Sequence, residues 1–183
     1  KDKYTGGHVE RVANFARDLA IKADLPDTLT NDIFMGTIVH DVGKIGIKDE
    51  VLNKPDKLTK EEFDHIKTHP VIGKNLLSKL KIAPIAVNIA YYHQEKWNGK
   101  GYPCGISKTD IPIEARISTI ADFWDAITSE RPYRDAMPLE KAIQVMNEER
   151  GKSFDPRLLD LFMDENDKLY LKYFSKDRLK ELA

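Results

Sequence analysis

His40-Asp41-Val42-Gly43-Lys44 closes an apolar run with helical spacing. Imidazole and carboxylate groups suit iron, manganese or zinc, and the two oxygens of a carboxylate can bridge two metals. The glycine can end a helix and place Lys44 beside such a pocket as a fixed positive charge. A helix that ends in solvent with Gly and Lys has the same pattern, so the pentapeptide alone leaves both interpretations open.

Composition limits the class of protein. The 183 residues fit one domain with a proper core. With 29 Lys and Arg against 30 Asp and Glu, bulk charge argues against a polymeric nucleic acid as partner. The single cysteine, Cys104, excludes a disulfide framework and a cysteine-rich zinc site, and it fits a reducing cytoplasm. No apolar run reaches the roughly 18 residues that span a membrane.

Apolar residues recur at three- and four-residue spacing throughout, which predicts an all-α, single-domain fold. A capping-box pattern at Thr59 and a candidate cap at Asp155 mark two helix starts. Helices are predicted from His8 to Ala23, from Asp27 into His40-Asp41, from Thr59 to about His69-Pro70, from Val71 to Leu80, from Pro84 to His93, from Ile113 to Ser129, from about Pro138 to Glu149, from Pro156 onward, and in a short charged segment at the C-terminus.

Two segments are predicted to be loops, residues 45–58 and residues 94–112. The second is rich in Gly and Pro, and a loop of that length in a compact domain is usually functional. Gly99 and Gly101 permit a tight turn, and Trp97 and Tyr102 are expected to pack the loop onto the domain. Cys104 is interpreted as a small loop residue.

The chain has five histidines, and four of them are predicted at helix ends beside Gly, Pro or Asp. One such histidine is usually a cap or a satisfied core residue. Four together with Asp41 and Asp122 predict a mixed imidazole and carboxylate site, sufficient for two metals that share Asp41. The set is His8, His40, Asp41, His69, His93 and Asp122. His65 lies one turn before His69, and surface exposure is expected for it, with a place beside the ligands as the alternative.

Six motifs occur in order between about Lys1 and Leu161, and together they resemble an HD-GYP domain. This is the bacterial branch of the HD phosphohydrolase superfamily that hydrolyses cyclic di-GMP. The motifs are Tyr4-Thr5-Gly6-Gly7-His8-Val9-Glu10-Arg11-Val12, His40-Asp41-Val42-Gly43-Lys44, His69-Pro70-Val71-Ile72-Gly73, His93-Gln94-Glu95-Lys96-Trp97-Asn98-Gly99-Lys100-Gly101-Tyr102-Pro103, Ala121-Asp122-Phe123-Trp124-Asp125-Ala126 and Arg131-Pro132-Tyr133-Arg134. The resemblance implies a helical bundle of the HD type with a long Gly/Pro-rich loop.

The resemblance also implies the division of the metal ligands. His8, His40, Asp41 and Asp122 would hold one divalent metal, and Asp41, His69 and His93 the other, with Asp41 bridging. A water or hydroxide between the metals would attack the phosphodiester, because two such metals acidify it and stabilise the developing charge. Iron is the first choice and manganese the second.

Lys44 is implied to bind a phosphate oxygen and to offset charge in the transition state. Arg131 and Arg134 are implied to grip the other phosphate or a guanine edge. Asp125 is a candidate substrate contact, with a carboxylate behind the metal ligands or a charge on the helix surface as the equal alternative. Gln94 is a candidate substrate contact too, with an ordinary polar residue at the loop start as its alternative.

Two positions depart from the family pattern. Many members have a second histidine where this chain has Gln94, and some have a glutamate where it has Tyr4. In the family both residues are associated with a third metal. Because both are missing, the sequence predicts a dinuclear site.

The leading hypothesis is therefore a cyclic di-GMP phosphodiesterase that yields linear pGpG, with continuation to GMP left open. The alternatives are an HD phosphohydrolase that acts on another nucleotide, and a catalytically degenerate receptor that binds without turnover. The resemblance further implies contact between the Gly/Pro-rich loop and diguanylate cyclase domains. Since the chain begins at Lys1, residues 1–183 are expected to be the HD-GYP part of a longer bacterial signalling protein with an N-terminal regulatory domain.

Overall fold

The computed structural model describes residues 7–130 and 135–173, which form helices joined by loops and contain no β-strand. This confirms the all-α prediction. The α-helices in the described ranges are α1 (His8–Lys22), α2 (Asp27–Ile38), α3 (Asp49–Leu52), α4 (Lys60–Ile66), α5 (His69–Lys79), α6 (Pro84–Tyr92), α7 (Ile113–Thr128), α8 (Leu139–Glu148) and α9 (Pro156–Phe162). Short 3-10 helices cover Val42–Gly46, Lys108–Asp110 and Leu169–Leu171.

The main core forms around α1 and α7. One stripe of α1 is buried, and α7 is buried along most of its length, with Trp124 fully inaccessible. Phe15 of α1, Phe162 of α9 and Tyr170 complete an aromatic cluster around this indole and its neighbours. Burial of such large side chains stabilises the fold by about 1.5–3 kcal/mol each.

A smaller core joins α5 to α6. Leu77, Ala86 and Ala90 are its buried members. Gly36 of α2 lies so close to Ala86 that a β-carbon would contact the helix backbone there. Close packing of small residues therefore brings the C-terminal end of α2 next to α6, and the His40-Asp41 turn follows directly after this end of α2.

Several predicted helix ends are confirmed. Thr59 and Glu62 form the reciprocal capping box at the start of α4. Pro84 is the first residue of α6, and the Asp155 side chain accepts a hydrogen bond from the Arg157 backbone N–H at the start of α9. The signals are local, because each capping side chain lies within three residues of the N–H group that it satisfies, and Pro84 itself lacks the N–H group that would need an acceptor.

Other boundaries were wrong. Residues 45–58 are not simply a loop, because they contain the end of the first 3-10 helix and all of α3. α2 ends at Ile38, so His40 and Asp41 lie in the turn after it. α5 begins at His69 rather than Val71, because a proline in the first helical turn needs no hydrogen-bond acceptor.

The predicted C-terminal charged helix falls on residues 174–183, outside the described part of the chain. In the described ranges, no helix is both long enough and apolar enough to cross a membrane.

Candidate metal centre

The six predicted metal ligands come together at one place, although they lie on five different helices or helix ends. His8 is the first residue of α1, and His69 is the first residue of α5. His93 caps the C-terminus of α6, and Asp122 lies within α7. The turn after α2 supplies the remaining two, His40 and Asp41. The structure thus assembles residues that are up to 114 positions apart in the sequence, counted from His8 to Asp122 (122 − 8).

Asp41 lies between the histidines and faces them with both oxygens. Its Oδ2 is 3.4 Å from His40 Nε2. Its Oδ1 is 3.4 Å from His69 Nε2 and 3.6 Å from His93 Nε2. This is the arrangement that a bridging carboxylate requires, with one oxygen for each of two ligand groups.

Asp122 faces the other two imidazoles. Its Oδ1 is 3.5 Å from His8 Nε2 and 3.8 Å from His40 Nε2. Two sets of donor atoms are compact enough to hold a metal ion, with all atoms of a set within 4.8 Å of one another: His8 with His40 and Asp122, and His40 with Asp41 and His93. We call the surroundings of His8 and Asp122 the first sub-site, and those of His69 and His93 the second.

The four histidines present the same ring atom to the centre. Each Nδ1 is engaged outside it: that of His40 by Thr37 O, that of His69 by Ile66 O, that of His93 by Ile89 O and Ala90 O, and that of His8 by Asp125 Oδ2. Because carbonyl and carboxylate oxygens only accept, each Nδ1 carries a proton, and in the neutral ring the Nε2 lone pair faces inward. That tautomer is the one that metal coordination needs.

Two buried atoms at the centre, His40 Nε2 and Asp41 Oδ1, have no hydrogen-bond partner among residues 7–130 and 135–173. Buried polar atoms are nearly always satisfied, and orphans of this kind call for an ion or a water. Their chemistry, imidazole nitrogen and carboxylate oxygen, matches the ligand preferences of iron, manganese and zinc. The residues present therefore fit divalent metals.

Electrostatics in the metal-free protein reflect the crowding of these groups. Burial would lower the pKa of His40, but the carboxylates of Asp41 and Asp122 outweigh it and raise that pKa to about 9. Burial and the adjacent His93 lower the pKa of His69 to about 4. Burial would raise the pKa of Asp41, yet His40, His93 and Lys44 hold it well below its usual range.

Lys44 is placed where the sequence predicted a fixed positive charge. Its Nζ lies 2.5 Å from Asp41 Oδ2, one 3-10 turn along the chain. The side chain is about a quarter exposed. The ammonium group is thus held at the edge of the centre.

Residues 94–112 form the predicted loop, which contains one 3-10 turn. The ring of Tyr102 meets that of His69 edge-on at 6.4 Å. Burial, together with the charges of Asp41 and Asp122, raises the pKa of Tyr102 to about 12, so the phenol stays neutral. Tyr102 therefore lines the centre next to His69, whereas the sequence predicted only that it packs the loop onto the domain.

Glu95 was not among the predicted site residues, yet it holds the predicted loop next to the centre. It is 2% exposed, and its Oε1 accepts hydrogen bonds from the backbone N–H groups of Cys104 and Gly105 at 2.6 and 3.1 Å. The carboxylate thereby holds the loop in place two residues after the predicted ligand His93. The hydrophobic periodicity of the sequence does not mark Glu95. Its position between His93 and the Gly/Pro-rich loop is the signal that could have identified it.

Asp125 was predicted to contact substrate, with a place behind the ligands as the alternative. The structure favours the alternative, because the carboxylate is buried and both its oxygens are engaged by His8 and Arg11.

The other predicted positions have the following contacts. The Gln94 carbonyl accepts a hydrogen bond from Tyr102 N, while the Gln94 side chain is half-buried. His65 is half-buried rather than exposed, and its Nε2 accepts from Lys48 N. Cys104 is exposed in the loop, as expected.

Three of the predicted or discussed residues lie outside the described part of the chain. These are Tyr4, Arg131 and Arg134.

Curated relatives of this chain include enzymes of cyclic dinucleotide metabolism. It is 37% identical over 165 residues to a cyclic di-GMP phosphodiesterase from Thermotoga maritima, covering 89% of this chain and 45% of the relative. It is 36% identical over 169 residues to the 3'3'-cGAMP-specific phosphodiesterase 2 of Vibrio cholerae, covering 91% of this chain and 32% of that protein. The chain thus spans less than half the length of either relative.

The fold is also found among solved structures. A protein from Bdellovibrio bacteriovorus described as an HDG"Y"P protein superposes with a TM-score of 0.70 at 23% identity, over 87% of this chain and 51% of that one. The sequence pattern of the HD domain matches residues 1–158. These findings confirm the resemblance to HD-GYP domains, and the chain belongs to the HD domain family.

Proposed function

We propose that this chain is a metal-dependent phosphodiesterase that opens cyclic di-GMP to linear pGpG. The observation that supports it is the convergence of four imidazole Nε2 atoms on two carboxylates, at 3.4–3.8 Å. Family membership and the name of the Thermotoga maritima relative favour a cyclic dinucleotide as substrate.

In this proposal the centre is dinuclear. His8, His40, Asp41 and Asp122 hold one divalent cation, and Asp41, His69 and His93 hold the other. Two cations held so close together acidify water and neutralise charge on phosphoryl oxygens. Iron is the first candidate and manganese the second, since both accept mixed nitrogen and oxygen ligands.

The residues of the chain have separate tasks. Asp41 links the two sub-sites through its two oxygens, and the Nδ1 anchors keep the imidazoles pointing inward. Lys44 contributes an ammonium group near Asp41, where it can bind a phosphate oxygen and stabilise charge that develops in the transition state. Arg131 and Arg134 are proposed, from the sequence alone, to bind the second phosphate or a guanine edge.

A second candidate substrate is 3'3'-cGAMP, which the name of the Vibrio cholerae relative suggests. It differs from cyclic di-GMP in one base, so the metal centre alone does not discriminate between them. The receptor hypothesis is the third candidate, with Gln94 as the residue that motivates it. Contact between the Gly/Pro-rich loop and diguanylate cyclase domains stays a prediction.

The experiment that tests the proposal joins elemental analysis to an activity assay on one sample purified without chelator. Cyclic di-GMP and 3'3'-cGAMP are each incubated with the protein, and products are separated by chromatography. About two metals per chain with release of pGpG is the expected result. Two metals without turnover, even after reduction and reloading with iron or manganese, would contradict the enzyme and favour the receptor. About three metals would contradict the dinuclear site.

A further inference from the structure

We infer that Asp125 and Arg11 are positioning residues that fix the tautomer of His8 and thereby determine whether the first sub-site can hold its metal. The inference rests on the proposed metal centre, but it concerns one sub-site and its metal affinity. It gives Asp125 a role in metal binding in place of the substrate contact suggested by the sequence.

The anchoring of His8 differs from that of the other three histidines. His40, His69 and His93 each engage a carbonyl oxygen of the backbone three or four residues earlier. Such an acceptor comes with the local turn and is present whatever side chains surround it. His8 starts its helix, and its Nδ1 instead meets the side chain of Asp125, 117 residues later, at 2.6 Å.

Asp125 is held in place from the opposite side. It is 2% exposed, and Arg11 contacts both of its oxygens, Nε with Oδ1 at 2.6 Å and Nη2 with Oδ2 at 3.1 Å. Arg11 Nη2 also donates to Ser129 Oγ at 3.0 Å. A planar guanidinium in this two-point contact fixes the orientation of the carboxylate. The ion pair therefore joins the first turn of α1 to the last turn of α7.

The chemistry of this contact sets the His8 proton. An ionised carboxylate only accepts, so the imidazole must donate from Nδ1 and keep its Nε2 lone pair for the side of Asp122. An outer carboxylate of this kind also makes the imidazole a stronger ligand, and loss of such partners typically weakens metal binding 10- to 100-fold. Only the first sub-site depends on this side chain, because His69 and His93 have backbone acceptors.

Asp125→Asn is the sharp test because it keeps the shape of the side chain. Arg11 can only donate, and its closer contact is Nε with Oδ1 at 2.6 Å, against 3.1 Å for Nη2 with Oδ2. The amide oxygen is therefore expected at the Oδ1 position, which turns the NH2 group towards His8. His8 then accepts at Nδ1, carries its proton on Nε2 and cannot coordinate there. Asp155→Asn is the matched control, since Asp155 is also a buried carboxylate paired with an arginine, Arg116, and it lies outside the metal centre.

The measurement is a Mn²⁺ titration of the chelator-treated 183-residue chain by calorimetry, with bound metal counted by electron paramagnetic resonance. The parent and Asp155→Asn are expected to bind two ions. Asp125→Asn is expected to keep the ion of the second sub-site and to bind the other 10- to 100-fold more weakly. The retained ion shows that the variant is folded.

Arg11→Lys is the second variant, since a single ammonium cannot contact the carboxylate in the same two-point way. It is expected to lower the affinity for the ion of the first sub-site by a smaller factor than Asp125→Asn does. The inference would be overturned if both variants bound two ions as tightly as the parent, or if the affinity for both ions fell by the same factor. Unchanged metal binding with a raised KM would restore Asp125 as a substrate contact. Failure of the parent to hydrolyse cyclic dinucleotides would overturn the proposed function and leave this metal readout valid.

Discussion

Gly43 lies directly against the carbonyl group of His69, so that the turn carrying His40 and Asp41 packs on the first turn of α5. A β-carbon at position 43 would overlap that carbonyl oxygen and would lie 2.5 Å from Gly73 N. Two glycines thus let two backbones meet. The contact places Asp41 Oδ1 within 3.4 Å of His69 Nε2 and so assembles the second sub-site.

Gly43→Ala is therefore expected to separate the two segments. The cost in free energy of unfolding is expected to be at least about 1–3 kcal/mol, as for overpacking in a close-packed core. The backbone atoms that would be struck cannot rotate away. Urea unfolding, together with metal content of the purified variant, measures the two effects.

Gly46→Ala is the matched control for this prediction. The three atoms nearest to a β-carbon there all belong to the Ile72 side chain, with Cδ1 closest at 2.8 Å, whereas the nearest atoms at Gly43 belong to the backbone. It is expected to keep both metals and to lose less stability. Equal metal content and stability in both variants would show that the backbone contact at Gly43 does not organise the centre.

Lys44 offers a test that separates chemistry from metal binding. Lys44→Ala is expected to keep the metals and to lower kcat by about 10²–10³-fold, as for loss of one transition-state contact. Asp41→Ala and His40→Ala are expected to lose metal and activity together, because they remove ligands. Metal content and hydrolysis of cyclic di-GMP are measured on the same preparations.

Lys67→Ala is the control for Lys44, because Lys67 also pairs with an aspartate three residues earlier, Asp64, and both side chains are exposed and neither is a predicted ligand. It is expected to leave both quantities unchanged. If metal-loaded Asp41→Ala were as active as the parent, the bridging role of this carboxylate would be wrong.

Glu95 makes the Gly/Pro-rich loop testable. Glu95→Ala leaves the N–H groups of Cys104 and Gly105 without their acceptor, at a cost of about 1–3 kcal/mol for each group that stays buried. Glu95→Gln retains an oxygen for both donors and is expected to stay near the parent. Limited proteolysis of residues 99–107 and urea unfolding give the readouts, with faster cleavage expected only for the alanine variant.

Glu114→Ala is the control for loop opening. Glu114 is also buried, and its Oε1 accepts from Asn88 Nδ2 at 2.8 Å, a contact that joins α7 to α6 and includes no residue of the 99–107 segment. This variant is expected to lose global stability without faster cleavage of the loop. Equal cleavage in both alanine variants would mean that Glu95 acts on the whole fold and has no special hold on the loop.

The sequence predicted what local chemistry determines. Helical spacing gave the fold class, and side-chain capping located the starts of α4 and α9, because those signals are contained in a few neighbouring residues. The six predicted metal ligands, which were identified through motifs that resemble a known family, lie close together in the structure, and their role as ligands stays a prediction. The roles of Asp125 and Glu95, two carboxylates within those motifs, were harder to predict.

The features of the site that the sequence did not predict depend on contacts between distant segments. Asp125 contacts His8, which lies 117 positions earlier in the sequence. Glycine is needed at position 43 because the carbonyl group of His69 leaves no room for a β-carbon. Neither relationship leaves a periodic trace in the sequence. The start of α5 at His69 was missed for a different reason, because the preference against helical residues before proline is a tendency that the packing overrides.

The last prediction concerns the contact between α1 and residues 169–173. Asp18 is nearly buried, and its carboxylate is paired with Lys172 Nζ and accepts from Tyr173 OH at 2.6 Å. Burial would raise its pKa, but Lys172 and Tyr173 outweigh burial and lower it. A carboxyl whose pKa is lower in the folded state stabilises the fold above the unfolded value, about 3.9, and this contribution is lost as pH falls through the folded value.

Asp18→Asn is therefore expected to lower the free energy of unfolding of the metal-free protein at pH 7, by about 1.5–3 kcal/mol for loss of charged hydrogen bonds. The gap between variant and parent is expected to narrow below pH 4. Asp167→Asn is the control, since the Asp167 side chain is 54% exposed and its pair with Lys22 is worth at most about 1 kcal/mol. Urea unfolding from pH 7 to pH 2.5 measures the difference. A gap that stayed constant over this range would show that the Asp18 charge contributes nothing to the docking of this segment.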